Sequence, residues 1–198
     1  DPTVAIPAYF MPQGVSADLI ATKYGFSRTD VDAFAVESQK RAAQAWDAGY
    51  FDRSVVPVRD VNGVALLSRD EHMRPDTTAE GLAKLAPYFK KDGVVTAGNA
   101  SGICDGAAAV VLASEGAAKG LKPIGRLVSW GIAGVEPKYM GIGPAPAARK
   151  ALAKAGLTLD QMDLVEVNEA FSAQYVAVEK ELGLDRARTN IHGGAIAI

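Results

Sequence analysis

The sequence contains little cysteine, few aromatic residues and no long apolar run. One of its 198 residues is cysteine and 7% are aromatic. A single cysteine excludes an internal disulfide framework and favours a compartment in which thiols stay reduced, so we expect a cytoplasmic protein. No apolar run approaches the roughly 18 residues that a membrane-spanning helix needs, so we expect no membrane association.

A strong excess of charge of one sign is also lacking. The formal net charge is −2 at pH 7, which argues against general binding to nucleic acid. By contrast, 48% of the residues are hydrophobic and 22% are charged, the composition of an ordinary globular protein. The hydrophobic content is ample for a core.

The most informative motif is Asn168-Glu169-Ala170-Phe171, which directly follows the apolar run 164–167. A short apolar run that breaks into Asn-Glu and then into a helical pattern predicts a strand, a tight turn and a helix. The amide of Asn168 would then lie at the carboxyl end of a strand, where α/β proteins usually place their chemistry. It can hold a water or donate to a developing oxyanion without titrating. The alternative is that Asn168 is an ordinary turn or N-cap residue.

Four other stretches accompany this motif along the chain: 70–75 (Asp-Glu-His-Met-Arg-Pro), 96–111 (Gly/Ala-rich), 140–144 (Met-Gly-Ile-Gly-Pro) and 190–198 (Asn-Ile-His-Gly-Gly-Ala-Ile-Ala-Ile). In this order and at these separations they resemble the thiolases, from about Gly14 to Ile198. The chain is similar to the central part of a thiolase. It lacks the family's nucleophilic cysteine, its Gly-His-Pro histidine and its second cysteine, which implies an inactive fragment.

Apolar periodicity predicts two unlike halves. Residues 1–95 are mainly helical, with helices capped by Ser16 and by Ser27. From about residue 94 strands and helices alternate, in the βαβ pattern of a parallel or mixed sheet covered by helices. The expected strands are 107–113, 124–132, 162–167 and 190–197, and the expected helices are 145–155 and 170–182.

The resemblance implies an α/β fold, with the layered α/β core of the thiolases and a mainly helical inserted loop domain. It assigns residues 1–95 to the loop domain, 96–119 to the end of the amino-terminal core domain and 120–198 to the start of the carboxy-terminal core domain. The family is usually a homodimer or homotetramer, and we expect the same of the full-length protein.

Cations and apolar side chains are interleaved near Arg74, Lys84 and Lys90. They form either a solvated helix face or a site for coenzyme A, whose phosphates need cations and whose adenine needs apolar walls. The resemblance implies coenzyme A as a substrate, with no metal and no other cofactor. Its binding residues would be Arg74 at the nucleotide, Leu85 and Phe89 at the adenine and pantetheine, Ala97 and Ser101 in the pantetheine tunnel, Met140 at the acyl pocket, and Ala170 and Phe171 at the thioester.

The activity implied is that of an acyl-CoA C-acyltransferase, which interconverts a 3-ketoacyl-CoA and CoA with an acyl-CoA and acetyl-CoA through an acyl-cysteine. Asn168 would be its catalytic asparagine. Pro12-Gln13-Gly14 replaces a His-Met-Gly pattern of the short-chain biosynthetic type, which favours a degradative enzyme. The alternative is a non-catalytic member that binds acyl-CoA or lipid. We expect Cys104 to be a small buried residue and His192 to be structural or to support the site only through other residues.

Overall fold

Helices carry nearly all the regular structure of the computed structural model, which describes residues 1–5 and 10–198. The elements in chain order are α1 (Pro2–Ala5), α2 (Gln13–Tyr24), α3 (Arg28–Asp47), β1 (Val58–Arg59), β2 (Ala65–Leu67), α4 (Ala79–Ala83), a 3₁₀ turn (Pro137–Ile142), α5 (Pro144–Ala155), a second 3₁₀ turn (Leu159–Gln161) and α6 (Ser172–Leu182). The two strands form an antiparallel hairpin in which Val58 lies opposite Leu67. None of the described helices is both long enough and apolar enough to cross a membrane.

Helix α3 begins at a capping box, as its sequence predicts. The Ser27 side chain accepts a hydrogen bond from the Asp30 N–H, and the Asp30 carboxylate accepts one from the Ser27 N–H. The prediction of Ser16 as the cap of the preceding helix is wrong. Helix α2 begins three residues earlier, at Gln13, and the buried Ser16 hydroxyl donates to the Lys138 carbonyl at 2.9 Å. Ser16 thus joins α2 to the first 3₁₀ turn.

The core lies where α2 and α3 pack against α6. Its centre is a stack of Phe34 on Tyr175, with ring centroids 3.9 Å apart and planes at 17°. Both rings are almost completely buried, and Val31 and Val178 beside them are fully buried. Burial of large apolar side chains is the main source of stability in such a helical cluster. Helix α6 is therefore held on two sides, and the segment leading into it is fixed by the core.

Two buried carboxylates hold the segment 94–99 against the helices. Asp18 on α2 accepts hydrogen bonds from the N–H groups of Val94 at 2.7 Å and Val95 at 3.1 Å. Asp32 on α3 accepts one from the Asn99 amide at 2.8 Å, and Asn99 in turn accepts from the Thr96 N–H at 2.9 Å. Buried carboxylates need such partners because their desolvation is otherwise costly.

The strands expected in the second half do not pair as predicted. Residues 107–113 and 124–132 form no strand in the described chain. In 162–167 Val165 forms an isolated parallel bridge with Thr189, which lies just before the predicted strand 190–197, and within 190–197 Ile191 forms an isolated bridge with Gly193. A strand forms only where a neighbour takes up its backbone N–H and C=O groups, and the described residues offer the first two segments none. Large apolar side chains of these two segments consequently stay exposed, including Val111 and Ile124. Cys104 is exposed as well, so its predicted burial is wrong. The helices expected at 145–155 and 170–182 are present.

Candidate active site

A cleft of about 190 Å³ opens where α2 and α6 meet the first 3₁₀ turn. Four of the residues predicted from the sequence line it together: Met140, Asn168, Ala170 and Phe171. The other lining residues are Gln13, Ala17, Gly141, Pro144 and Gln174. The walls are mostly apolar and carry three side-chain amides, which is the usual make-up of a small-molecule site.

The side chain of Asn168 is exposed and makes no hydrogen bond to any other described residue. It does not cap α6, because the N-cap residue of that helix is Phe171, without a side-chain cap. The preceding residue is clamped: the Val167 N–H donates to Asn190 Oδ1 at 2.8 Å, and Asn190 Nδ2 donates to the Val167 carbonyl at 2.8 Å. The side-chain amide of Asn168 therefore has no hydrogen-bond partner among the described residues, while Asn190 holds the backbone just before it in place.

The residue after Asn168 fixes the turn from the other side. Glu169 is fully buried and accepts hydrogen bonds from Ser38 Oγ at 2.5 Å, from Asn190 Nδ2 at 2.9 Å and from the Ile196 N–H at 3.3 Å. A Cβ at Gly194 would lie 2.5 Å from the Glu169 carboxyl carbon, so only glycine leaves room for the carboxylate. The Glu169 carboxylate therefore joins α3 and the last residues of the chain to the turn that carries Asn168.

Asn190 links both halves of this support, since its amide reaches Val167 and Glu169. Among the described residues it is the one non-glycine residue with positive φ, at 46°. Asparagine tolerates this left-handed conformation better than most residues. Sequence reasoning missed Ser38, Asn190 and Gly194 as supports. The Asn190 and Gly193-Gly194 pattern was a local signal for an unusual backbone, but Ser38 is 131 residues from Glu169 and gives no such signal.

A second group of predicted residues adjoins the cleft through Ala170 and Phe171. Ser101 donates to the Ala170 carbonyl through its N–H at 3.0 Å and through its hydroxyl at 3.2 Å. The proton of the Ser101 hydroxyl is thus used within the protein, and the hydroxyl oxygen can still accept a hydrogen bond. The Phe89 ring meets Phe171 edge to face, with centroids 6.2 Å apart. Leu85 packs closely on Gly98, since a Cβ built at Gly98 would lie 2.7 Å from the Leu85 Cδ1. The neighbouring Ala97 is exposed.

Arg74 lies apart from these residues. Its N–H donates to Gln39 Oε1 at 2.7 Å, and its carbonyl accepts from the Thr77 hydroxyl at 2.7 Å. The side chain is exposed and its guanidinium has no partner within the described chain. The structure therefore fixes the backbone of Arg74 and leaves its charge available, but does not bring it into the cleft.

The histidines do not join the cleft. The His192 ring stacks on Tyr50, with centroids 4.5 Å apart, and meets the edge of Phe51, which agrees with a structural role. The His72 ring lies against Gly102. In residues 1–5 and 10–198 no group of His, Cys, Asp and Glu is arranged to hold a metal ion.

Comparisons with known proteins give the class of this protein. Residues 4–116 match the family model "Thiolase, N-terminal domain" and residues 121–198 match "Thiolase, C-terminal domain". The chain belongs to the thiolase family. It is 53% identical to the mitochondrial 3-ketoacyl-CoA thiolase of Bos taurus over 95% of its length, and 52% identical to the acetyl-CoA acetyltransferase of Chromobacterium violaceum over 99%.

The fold agrees with the family. The crystal structure of human mitochondrial 3-ketoacyl-CoA thiolase in complex with CoA superposes with a TM-score of 0.90 at 52% identity, over 94% of this chain and 47% of that one. This confirms the thiolase α/β fold class. The chain spans about half the length of the relatives it matches, 48% for the Bos taurus protein and 51% for the Chromobacterium violaceum protein.

The expectation of a cytoplasmic protein is contradicted by these relatives, because the 3-ketoacyl-CoA thiolases of Bos taurus and Homo sapiens are named as mitochondrial. The expectation rested on the single cysteine. A low cysteine content excludes a disulfide framework but does not distinguish one compartment with reduced thiols from another.

Proposed function

We propose that the full-length protein containing this chain is an acyl-CoA C-acyltransferase that interconverts a 3-ketoacyl-CoA and CoA with an acyl-CoA and acetyl-CoA. The observation that carries the proposal is the unbonded amide of Asn168 in a largely apolar cleft, on a chain of the thiolase family. The human relative whose structure contains CoA supports the substrate class.

In the cleavage direction a cysteine thiolate attacks the 3-keto carbon and forms the acyl-enzyme. The bond between C2 and C3 breaks, its electron pair forms the enolate of acetyl-CoA, and the enolate takes up a proton. A CoA thiolate then removes the acyl group. The cysteine would come from outside these 198 residues, because Cys104 is exposed and does not line the cleft. Splitting the reaction through a covalent intermediate lowers the barrier of each step.

Asn168 acts on the enolate. Its Nδ2 donates, directly or through one water, to the thioester oxygen as negative charge develops there. Because the neighbouring backbone is fixed by Asn190 and Glu169, the amide needs no reorganisation during the reaction. One preorganised donor to an oxyanion is typically worth about 10²–10³ in rate.

The remaining predicted residues bind the CoA thioester. Met140, Ala170 and Phe171 border the acyl and thioester end of the cleft. Leu85, Phe89, Ala97 and Ser101 line the pantetheine and adenine, and the exposed guanidinium of Arg74 pairs with a phosphate of the nucleotide. Residues 1–95, 96–119 and 120–198 form the loop domain and the two core portions.

The acyl chain is longer or bulkier than acetoacetyl and the direction is degradative, as in fatty acid β-oxidation. Gln13 supports this, because it lies within the Pro12-Gln13-Gly14 departure from the short-chain pattern and lines the cleft itself. The enzyme works as a homodimer or homotetramer.

The test is a thiolysis assay on the purified full-length protein, with acetoacetyl-CoA and a series of longer 3-ketoacyl-CoA substrates. The expected result is CoA-dependent loss of the 3-ketoacyl thioester, with kcat/KM higher for the longer chains. The 198-residue chain alone, which lacks the nucleophile, should be inactive. Saturable acyl-CoA binding without any cleavage by the full-length protein would instead establish the non-catalytic alternative.

A further inference from the structure

Gln174 has a buried side-chain amide that bonds to no other described residue. Its side chain lies on the first turn of α6 and lines the same cleft as Asn168, and only 5% of the residue is exposed. Its Oε1 is closed off from solvent and accepts no hydrogen bond, and its Nε2 donates to no other described residue. Buried polar side-chain atoms in proteins are almost always bonded. In the described chain Asp18 Oδ2, Trp46 Nε1 and Ser172 Oγ are also buried without a partner, but of these four residues Gln174 is the one that lines the cleft.

The position of Gln174 is imposed by tight packing. A Cβ at Gly141 would lie 2.6 Å from the Gln174 Cγ and 3.0 Å from the Ile20 Cδ1. The Gln174 stem therefore fills the space between the first 3₁₀ turn and α2, where glycine is the residue that leaves room for it. The side chain cannot swing away to find a partner without disturbing this contact.

The two ends of the amide are not equivalent. Oε1 is closed off from solvent, whereas Nε2 is bonded to no other described residue and is not closed off in this way, so Nε2 is the end that can reach the cleft. An amide N–H₂ is a donor, and its complement is an oxygen acceptor. The N–H groups in the first turn of α6 add a favourable field for such an oxygen.

We infer that Gln174 is a second polar group for the acyl thioester, whose Nε2 donates to an oxygen of the bound substrate on the acyl side of Asn168. The inference rests on the proposed function. Gln174 therefore positions the substrate, while Asn168 stabilises the enolate. Without ligand the buried Gln174 amide stays unbonded, which lowers the stability of the free protein, as is common for residues kept for function.

The test is Gln174→Met in the full-length protein, because methionine has nearly the same shape without hydrogen-bonding groups. The matched control is Gln44→Met, at an exposed glutamine on α3. For Gln174→Met we expect kcat/KM for a 3-ketoacyl-CoA to fall about 3- to 10-fold, the size of one neutral hydrogen bond. Its thermal midpoint without ligand should be equal to or higher than that of the wild type, since no internal hydrogen bond is lost.

A second variant separates the donor from the shape. Gln174→Glu keeps the size but cannot donate when ionised, so it should lose at least as much kcat/KM as Gln174→Met. If both variants keep kcat/KM within twofold of Gln44→Met in an active enzyme, the inference is wrong while the proposed function stands. A clear fall of the thermal midpoint for Gln174→Met would also overturn it, because Gln174 would then be structural. A wild-type protein without thiolase activity refutes the proposed function itself.

Discussion

Replacing the buried Glu169 tests the support of the catalytic turn. Glu169→Gln keeps the volume but puts an N–H₂ group in place of one oxygen. At the Oε1 position this group would face the donor of Asn190, 2.9 Å away. At the Oε2 position Ser38 can rotate its hydroxyl to accept, and only the 3.3 Å bond from the Ile196 N–H is lost. The second arrangement is therefore the less costly one.

Loss of that bond, and of the charge that strengthens the others, should lower the free energy of unfolding by about 1–3 kcal/mol. Glu169→Ala removes all three partners and leaves a cavity, so its loss should be larger, about 3–5 kcal/mol. The measurement is denaturant unfolding of the full-length protein. Glu115→Gln, at an exposed glutamate, is the matched control.

The same variants should also affect catalysis, because Glu169 follows Asn168 directly. We expect kcat to fall with little change of KM, since the amide that meets the transition state loses its fixed position. An unfolding free energy for Glu169→Gln equal to that of Glu115→Gln would refute the argument, as would full kcat in Glu169→Ala.

Two further predictions concern binding and pH. Arg74→Ala should raise KM for CoA substrates more than it lowers kcat, with a loss of about 1.5–3 kcal/mol if its contact with phosphate is charge-assisted. Arg53→Ala, at an exposed arginine, is the control. The rate with a pantetheine thioester that lacks the nucleotide should be the same for Arg74→Ala and the wild type. Equal losses with both substrates would show that Arg74 is structural. The Ser27 hydroxyl and N–H hold the pKa of the Asp30 carboxyl below its ordinary value. The stabilisation by Asp30 is therefore fully present above the unfolded-state pKa of about 4, and it is lost as the pH falls through the lower folded-state pKa. Asp30→Asn should therefore lower the free energy of unfolding at pH 7, and by progressively less as the pH falls. Asp92→Asn, at an exposed aspartate, is the control. A loss that stays constant over this pH range, or that equals the loss in Asp92→Asn, would contradict the role of the capping box.

Local signals predicted the helices well. Ser27 and Asp30 fix the start of α3, and the glycines after α5 and α6 adopt the left-handed conformation that ends each helix. Of the site residues predicted from the sequence, Met140, Asn168, Ala170 and Phe171 line the cleft, whereas Arg74, Leu85, Phe89, Ala97 and Ser101 do not. The helix starts and ends are short-range properties that a sequence expresses directly, whereas a cleft that joins distant residues is not.

The long-range partners could not be predicted in the same way. Val165 bridges Thr189, but the apolar segments 107–113 and 124–132 have no neighbouring strand in the described residues, and alternation alone does not supply one. The partners of Glu169 are equally distant, since Ser38 comes from α3. Gln174 lies within the expected helix 170–182, but nothing in the sequence indicates that its amide is unbonded. Burial and pairing depend on three-dimensional contacts that no local pattern encodes.

The central claim is that Asn168 acts in the transition state and not in binding, and separate measurement of the two half-reactions tests it most directly. In the full-length enzyme, Asn168→Ala should lower kcat for condensation by about 10²–10³ with KM little changed, and Asn168→Asp by at least as much, because a carboxylate would face the enolate oxygen. Acylation by a simple acyl-CoA should suffer less, and Asn62→Ala, at an exposed asparagine, should leave both rates unchanged. Near-normal condensation in both Asn168 variants, together with a loss of thermal stability, would show that Asn168 is a structural turn residue and would contradict the account.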